Sequence, residues 1–183
     1  MANKLTLRHI DFHSQKMKAH LALQIFSRSV ADVICFLRLN GNEDFKNSEP
    51  SERFLRILND LLDILNSRST RALGFKSPLQ RKNYLSSFKR LDECFAYIGN
   101  IRLPSKLRVC DTPLKTGIIG LQLCIKSVKS LFADHLIGRV SFFCTYRLCQ
   151  DHIELLFNSI RRLVFLALQI SLNKCLQTVV RIC

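Results

Sequence analysis

Apolar residues recur three or four positions apart in several long stretches of this chain, and this spacing limits its fold more than any other feature. Only the short segment 141–148, rich in β-branched and aromatic residues, could instead form a strand or lead into a helix. The sequence therefore predicts a mainly α fold with at most one or two strands. The expected helices cover residues 14–39, 49–66, 82–98, 117–136 and 151–161.

Residues with strong preferences for helix ends mark several boundaries. Asn40-Gly41-Asn42 has the glycine typical of a helix C-terminus. Ser48-Glu49-Pro50-Ser51-Glu52 has the features of a helix start, with a capping serine, an early proline and first-turn acids. The third helix is expected to close at Gly99-Asn100, and the basic segment 102–116, broken by two prolines, is expected to be a surface loop.

The composition favours a folded, basic protein. Lys and Arg number 28 against 14 Asp and Glu, a formal charge of +14, and 48% of the residues are hydrophobic. That surplus suits phosphate-bearing partners, although a solvated basic surface would have the same composition. No stretch near the C-terminus is long and apolar enough to span a membrane. The 8 cysteines, without a CxxC pair, are expected to be reduced core residues of an intracellular protein.

Two acids near the C-terminus have a spacing that would bring their carboxylates close together on a helix. Asp151 and Glu154 are three residues apart, in the first turn of the last expected helix. There they could bind a metal or a nucleotide base, or simply favour the positive end of the helix dipole. The sequence contains no GxxxxGK[ST] loop, GxSxG elbow or HExxH motif, so these residues alone leave both readings open.

Six short segments follow one another in an order that resembles P-element-type DNA transposases, the group that includes THAP-domain relatives. The resemblance covers roughly residues 1–161. The segments are Asn3-Lys4-Leu5-Thr6, Gln15-Lys16-Met17-Lys18, Ser27-Arg28-Ser29-Val30-Ala31, Leu61-Leu62-Asp63-Ile64-Leu65-Asn66-Ser67-Arg68, Lys115-Thr116-Gly117-Ile118-Ile119-Gly120, and Thr145 to Arg161.

The resemblance implies a division of the chain. In that family an RNase H-like domain, whose carboxylates hold two divalent metals, cuts and joins transposon DNA. A helical insertion interrupts it and binds GTP. The expectation is therefore a helical GTP-binding insertion domain at residues 1–140 and a partial return into the RNase H-like catalytic domain at 141–161. Residues 162–183 form a divergent tail.

The resemblance also implies roles for seven residues. Glu154 matches the last catalytic acid and metal ligand, and Asp151 matches the aspartate that reads guanine through its N1–H and N2–H₂ donors. Five softer matches would lie near the nucleotide, with GTP and Mg²⁺ as cofactors; each is also an ordinary surface or helix residue by type. They are Lys4, Lys18, Ala19, Ser27 and Asp63.

The function implied is that of a transposase fragment that binds GTP and, in a complete protein, supports GTP-dependent cleavage and strand transfer at transposon ends in the nucleus. No segment of this sequence resembles the two earlier catalytic acids, so the chain is expected to be inactive alone. Two alternatives are a basic helical module that binds nucleic acid without catalysis, and a regulatory protein that pairs with full-length transposase subunits. Without its sheet partners, the apolar face of the last helix is expected to be either exposed or packed non-natively.

Overall fold

The computed structural model describes residues 5–11, 13, 19–149, 153–163 and 165 of this 183-residue chain, and its regular structure is helical there. The predicted mainly α fold is confirmed. The helices are α1 (Ala19–Ile25), α2 (Arg28–Leu39), α3 (Glu49–Leu65), α4 (Tyr84–Gly99), α5 (Lys115–Ser130) and α6 (153–163). Short turns of 3-10 helix lie at Leu7–His9, Glu43–Phe45, Gly74–Lys76, Val109–Asp111 and Thr145–Leu148, and a π-helical turn, Leu131–Leu136, extends α5.

The chain divides into two compact units, Met1–Tyr146 and Arg147–Cys183. In the first unit α3 packs against both α2 and α4, and α5 packs against α4. The buried side chains of α3 recur at helical spacing, so a single face of the helix enters the core. Complete burial of one leucine there, such as Leu61, stabilises the fold by roughly 1.5–3 kcal/mol. The core residues are Ile57, Leu58, Leu61, Ile64, Leu91, Cys94, Ile98 and Ile125.

A second apolar cluster fixes the far end of α5. Phe132, in the π-helical turn, is fully buried against Leu79 and Val128. The ring of Phe88 meets that of Phe132 edge to face at 6.1 Å, a preferred geometry for aromatic pairs. The segment Lys115–Leu136 is long and apolar enough to cross a membrane by length and composition alone. Three of its apolar side chains nevertheless belong to the core of this unit.

The segment predicted to be either a strand or a helix lead-in begins with a single bridge. Leu79 and Phe143 exchange two backbone hydrogen bonds of 2.9 and 2.8 Å, and the chain then turns into the 3-10 helix Thr145–Leu148. The buried Thr145 hydroxyl donates to the Ile64 carbonyl at 2.5 Å, and the Thr145 amide donates to the Ser67 hydroxyl at 3.2 Å. The Thr145 bonds fasten this residue to the end of α3 and satisfy polar groups that burial would otherwise penalise.

Several expected boundaries are correct and others are wrong. Gly41 has φ +76 and ends α2 as predicted. Within residues 19–39 the first long helix is instead two helices, separated at Ser27, which takes an extended conformation, and Phe26 packs edge to face on Phe54. Residues 14–18 of that expected helix lie outside the described part of the chain. Ser48 does not cap α3; its hydroxyl donates to the Phe45 carbonyl. The expectation of core cysteines is wrong at Cys124, which is exposed.

In the second unit, α6 presents its apolar stripe to solvent. The side chains of Ile153, Leu156, Phe157 and Ile160 are between 45% and 59% exposed. The predicted site residue Glu154 lies in the first turn of the same helix and is exposed.

Candidate functional site

Three of the seven predicted site residues have described side chains: Ser27, Asp63 and Glu154. Ala19 begins α1. The remaining predicted residues, Lys4, Lys18 and Asp151, lie outside the described part of the chain.

Ser27 separates α1 from α2 and forms the N-cap of α2. Its backbone is extended, with φ −89 and ψ 150, and its carbonyl accepts hydrogen bonds from the amides of Val30 and Ala31 at 3.1 and 3.3 Å. The half-buried hydroxyl makes no capping bond. A serine at this position usually satisfies one of the free amides of the first turn. The Ser27 hydroxyl therefore lies at the positive end of a 12-residue helix but does not cap that helix.

Asn59 connects this helix start to Asp63. The Arg28 amide donates to Asn59 Oδ1 at 3.0 Å, and Asn59 Nδ2 donates to Asp63 Oδ2 at 3.0 Å. Asn59 and Asp63 are neighbours on one face of α3 because they are four residues apart. The Lys76 ammonium approaches Asp63 Oδ2 at 3.9 Å from the turn Gly74–Lys76. We call Ser27, Arg28, Asn59, Asp63 and Lys76 the Ser27–Asp63 cluster.

The carboxyl of Asp63 is poorly compensated for its burial. Its side chain is 24% exposed. Burial raises the pKa of Asp63 above its usual value, and Lys76, the Asn59 hydrogen bond and Arg28 oppose that effect only in part. An acid whose pKa is raised by burial, next to cations that do not contact it closely, is a candidate for ligand binding.

The first half of α3 carries a contrasting set of charges. Glu52 accepts hydrogen bonds from Arg56 Nε at 2.9 Å and Arg38 Nη2 at 3.2 Å, and Arg56 also pairs with Asp32 at 2.8 Å. The hydrogen bond from Arg56 and then that from Arg38 lower the pKa of Glu52, although burial opposes them. This acid is fully paired, so its arrangement indicates a structural role.

Sequence reasoning identified Ser27 and Asp63 but missed Arg28, Asn59 and Lys76 as their neighbours. Asn59 could have been found from its position four residues before Asp63 on a predicted helix. Lys76 could not, because its approach depends on the turn after α3. The paired Glu52 and Arg56 also stand four residues apart, and that spacing is visible in the sequence.

No group of three His, Cys, Asp or Glu side chains that could hold a metal ion occurs within residues 5–11, 13, 19–149, 153–163 and 165. The Ser27–Asp63 cluster supplies one carboxylate and two cations. It therefore has the charges for a polar, phosphate-bearing ligand, and it has too few carboxylates for a metal site of its own.

Comparisons with known proteins support the resemblance to transposases. Residues 1–78 match the model of the family described as TNP-like, GTP-binding insertion domain. Over 162 residues the chain is 29% identical to the human protein DNA transposase THAP9, covering 87% of this chain and 18% of that protein. The structure is similar, with a TM-score of 0.60 and 25% identity, to a chain of the Drosophila P element transposase strand transfer complex, covering 87% of this chain and 35% of that one. The chain thus spans a minor part of the length of both relatives.

Proposed function

We propose, from the similarity of this chain to P-element-type DNA transposases, that it binds GTP at the Ser27–Asp63 cluster. The observation that carries the proposal is the position of that cluster. All five of its residues lie within residues 1–78, the segment that matches the GTP-binding insertion domain. The uncapped serine and the raised pKa of Asp63 support the same site independently of that match.

The chemistry of the cluster suits a nucleotide. The start of α2 and the side chains of Arg28 and Lys76 supply positive potential for phosphate groups. Ser27 offers a hydroxyl that can donate or accept. Asp63 can accept a hydrogen bond from a ribose hydroxyl or a ring N–H. A carboxylate suits that contact, whereas it would repel the negative phosphates.

The remaining nucleotide contacts come from the resemblance. We propose that Lys4, Lys18 and Ala19 lie near the phosphates and ribose, and that Asp151 reads the guanine edge. Mg²⁺ fits this site as an ion that GTP brings with it, because Mg²⁺ is commonly bound by one or two carboxylates plus substrate phosphates. When bound, Mg²⁺ neutralises phosphate charge.

The role in DNA transposition is a further part of the proposal. Glu154 would be the catalytic acid and metal ligand of an RNase H-like segment that begins near residue 141. One such acid cannot hold two metals, so we expect no cleavage of transposon ends by these 183 residues alone. In this proposal the protein would act on DNA in the nucleus, and full-length transposase subunits would be candidate partners. The charge of +14 favours nucleic-acid binding without nucleotide as the alternative function.

Calorimetric titration of the full chain with GTP–Mg²⁺, and with ATP–Mg²⁺ for comparison, tests the proposal. We expect selective binding of GTP and a loss of affinity of about tenfold in Asp63→Asn. Asp92→Asn is the matched control, since Asp92 is an exposed acid of α4 that pairs with Lys129. Ser27→Ala should weaken binding, while Ser29→Ala, at an exposed position two residues further along the chain, should not.

The guanine contact has its own test. Asp151→Asn should lose GTP and gain xanthosine triphosphate, because the amide can donate to the extra base carbonyl. A folded wild-type chain that binds neither GTP nor ATP would refute nucleotide binding. Equal loss in Asp63→Asn and Asp92→Asn would refute the proposed location.

A further inference from the structure

A second candidate site lies at the other half of α3. A cleft of about 1220 Å³ opens between the start of α3 and the end of α4. Its charged lining residues are five arginines and three glutamates, an excess of two positive charges. The arginines are Arg38, Arg53, Arg56, Arg90 and Arg102.

Three of these arginines are held by acids. Arg38 and Arg56 bind Glu52, and Arg90 binds both Asp60 and Glu93 at 2.7 Å. Such pairs fix the guanidinium groups in place, so little side-chain entropy is lost when a ligand binds beside them. Arg38 Nε is buried without a hydrogen-bond partner, which leaves one donor of this lining unsatisfied.

The other two arginines have no carboxylate partner among the described residues. The guanidinium of Arg53 lies over the ring of Tyr97, 5.7 Å from its centroid. Arg102 Nη1 donates to the Lys106 carbonyl at 3.1 Å. Both side chains are exposed, and their charge is therefore available to an anionic ligand.

The turn that follows α4 keeps Arg102 at the edge of the cleft. Arg102 and Arg108 form a backbone bridge, and the Leu103 amide donates to the Leu107 carbonyl at 2.9 Å. Lys106 closes this turn with φ 64, a conformation that a lysine adopts at some cost. The turn is therefore a defined structure that holds Arg102 at the edge of the cleft.

We propose that this cleft binds the phosphodiester backbone of a DNA strand. Guanidinium groups bind phosphate in a forked geometry, and a base can stack on the Arg53–Tyr97 pair. An acidic protein segment would use the charge but not the stacking surface, so the combination favours nucleic acid. The inference rests on the proposed function only in taking DNA as the partner; the cleft shares no residue with the Ser27–Asp63 cluster.

Fluorescence anisotropy with a short labelled single-stranded DNA tests the inference on the full chain. We expect Arg53→Ala/Arg102→Ala to weaken binding by about tenfold and to reduce the slope of log affinity against log salt by about 2. The matched control is Arg71→Ala/Arg81→Ala, which removes two exposed arginines outside the cleft. It should leave affinity within about twofold of the wild type.

Equal weakening by the two double variants would overturn the inference, because DNA would then be held by diffuse charge. Displacement of DNA by polyglutamate at equal charge concentration would also overturn it, in favour of an acidic protein partner. If the double variant is not folded, Arg102→Ala alone should still weaken binding and lower the salt slope by about 1.

GTP titration of the same variants separates this inference from the proposed function. Arg53→Ala/Arg102→Ala should bind GTP as the wild type does. Suppose that the wild-type chain binds no GTP and that, of the two double variants, only Arg53→Ala/Arg102→Ala binds DNA more weakly. That result would refute the nucleotide site and support the cleft. If the wild type binds GTP and the variant binds DNA as tightly as the wild type does, the nucleotide site is supported and the cleft is refuted.

Discussion

Each half of α3 carries a partly buried carboxylate, and the pKa values of the two carboxylates are shifted in opposite directions. Glu52, near the start of the helix, is 13% exposed and accepts hydrogen bonds from two arginines. Asp63, near its end, is 24% exposed and has one amide donor and a lysine at 3.9 Å. The hydrogen bonds from the arginines lower the pKa of the first acid, whereas burial raises the pKa of the second.

The difference separates an acid that supports the fold from one that can bind a ligand. The ion pair between Arg38 and Glu52 joins α2 to α3, and Arg56 pairs with the same carboxylate. The hydrogen-bonding capacity of Glu52 is therefore already satisfied within the protein. The cost of partly burying Asp63 is not fully repaid by its neighbours. A hydrogen-bond donor of a ligand could offset the cost of burying this carboxylate. Loss of the Asp63 carboxylate would then weaken ligand binding more than it lowers the stability of the fold.

The largest expected effect of breaking this contrast is on Glu52. Glu52→Gln removes the charge that holds Arg38 and Arg56, and we expect the free energy of unfolding at pH 7 to fall by about 1–2 kcal/mol. Urea unfolding followed by circular dichroism measures it. Glu43→Gln, an exposed acid of a short turn, is the control and should change little. GTP affinity should be unchanged; a loss would show that both halves of α3 serve the nucleotide.

The next effect is on Asn59, which links α2 to Asp63. Asn59→Ala removes the acceptor of the Arg28 amide and the donor to Asp63, so we expect a loss of about 1 kcal/mol and weaker GTP binding. Asn47→Ala is the control, since Asn47 is exposed in the loop before α3. A stable variant with wild-type GTP affinity would contradict the role given to Asn59.

Particular residues show how far the sequence could predict this molecule. The spacing of apolar residues predicted α3, and the Gly99-Asn100 signal predicted the end of α4. The break at Ser27 was missed because the apolar spacing continues across it, although serine is a favoured N-cap residue. Resemblance identified Ser27 and Asp63 as candidates. The pairing that leaves Asp63 poorly compensated depends on tertiary distances, which no spacing along the chain contains.

The pH dependence of stability should have opposite signs for the two acids. The pKa of Glu52 is lowered, so its stabilisation is present above the usual glutamate pKa and is lost as the pH falls through the folded value. The pKa of Asp63 is raised, so the folded state loses stability as the pH rises from the usual aspartate value through the folded one. Asp63→Asn should therefore make the chain more stable at pH 7 than the wild type.

Urea unfolding of the wild type, Asp63→Asn and Glu52→Gln across the acid range measures both slopes. The advantage of Asp63→Asn should grow as the pH rises from the usual aspartate value. The deficit of Glu52→Gln should shrink as the pH falls below the usual glutamate value. Slopes of the same sign in both difference curves would mean that the contrast between the acids is wrong.

The smallest expected effect concerns Lys76. Its side chain is 67% exposed and lies 3.9 Å from Asp63, so the pair is screened by water and Lys76→Ala should cost less than about 0.5 kcal/mol. The same change removes the largest influence that opposes burial, and the pKa of Asp63 should rise further. Carboxyl carbon shifts of Asp63, followed by NMR across the acid range, measure that rise. Arg81→Ala should leave them unchanged. A fall in the pKa of Asp63 would mean that the lysine does not lie beside it, and the cluster would lose its second cation.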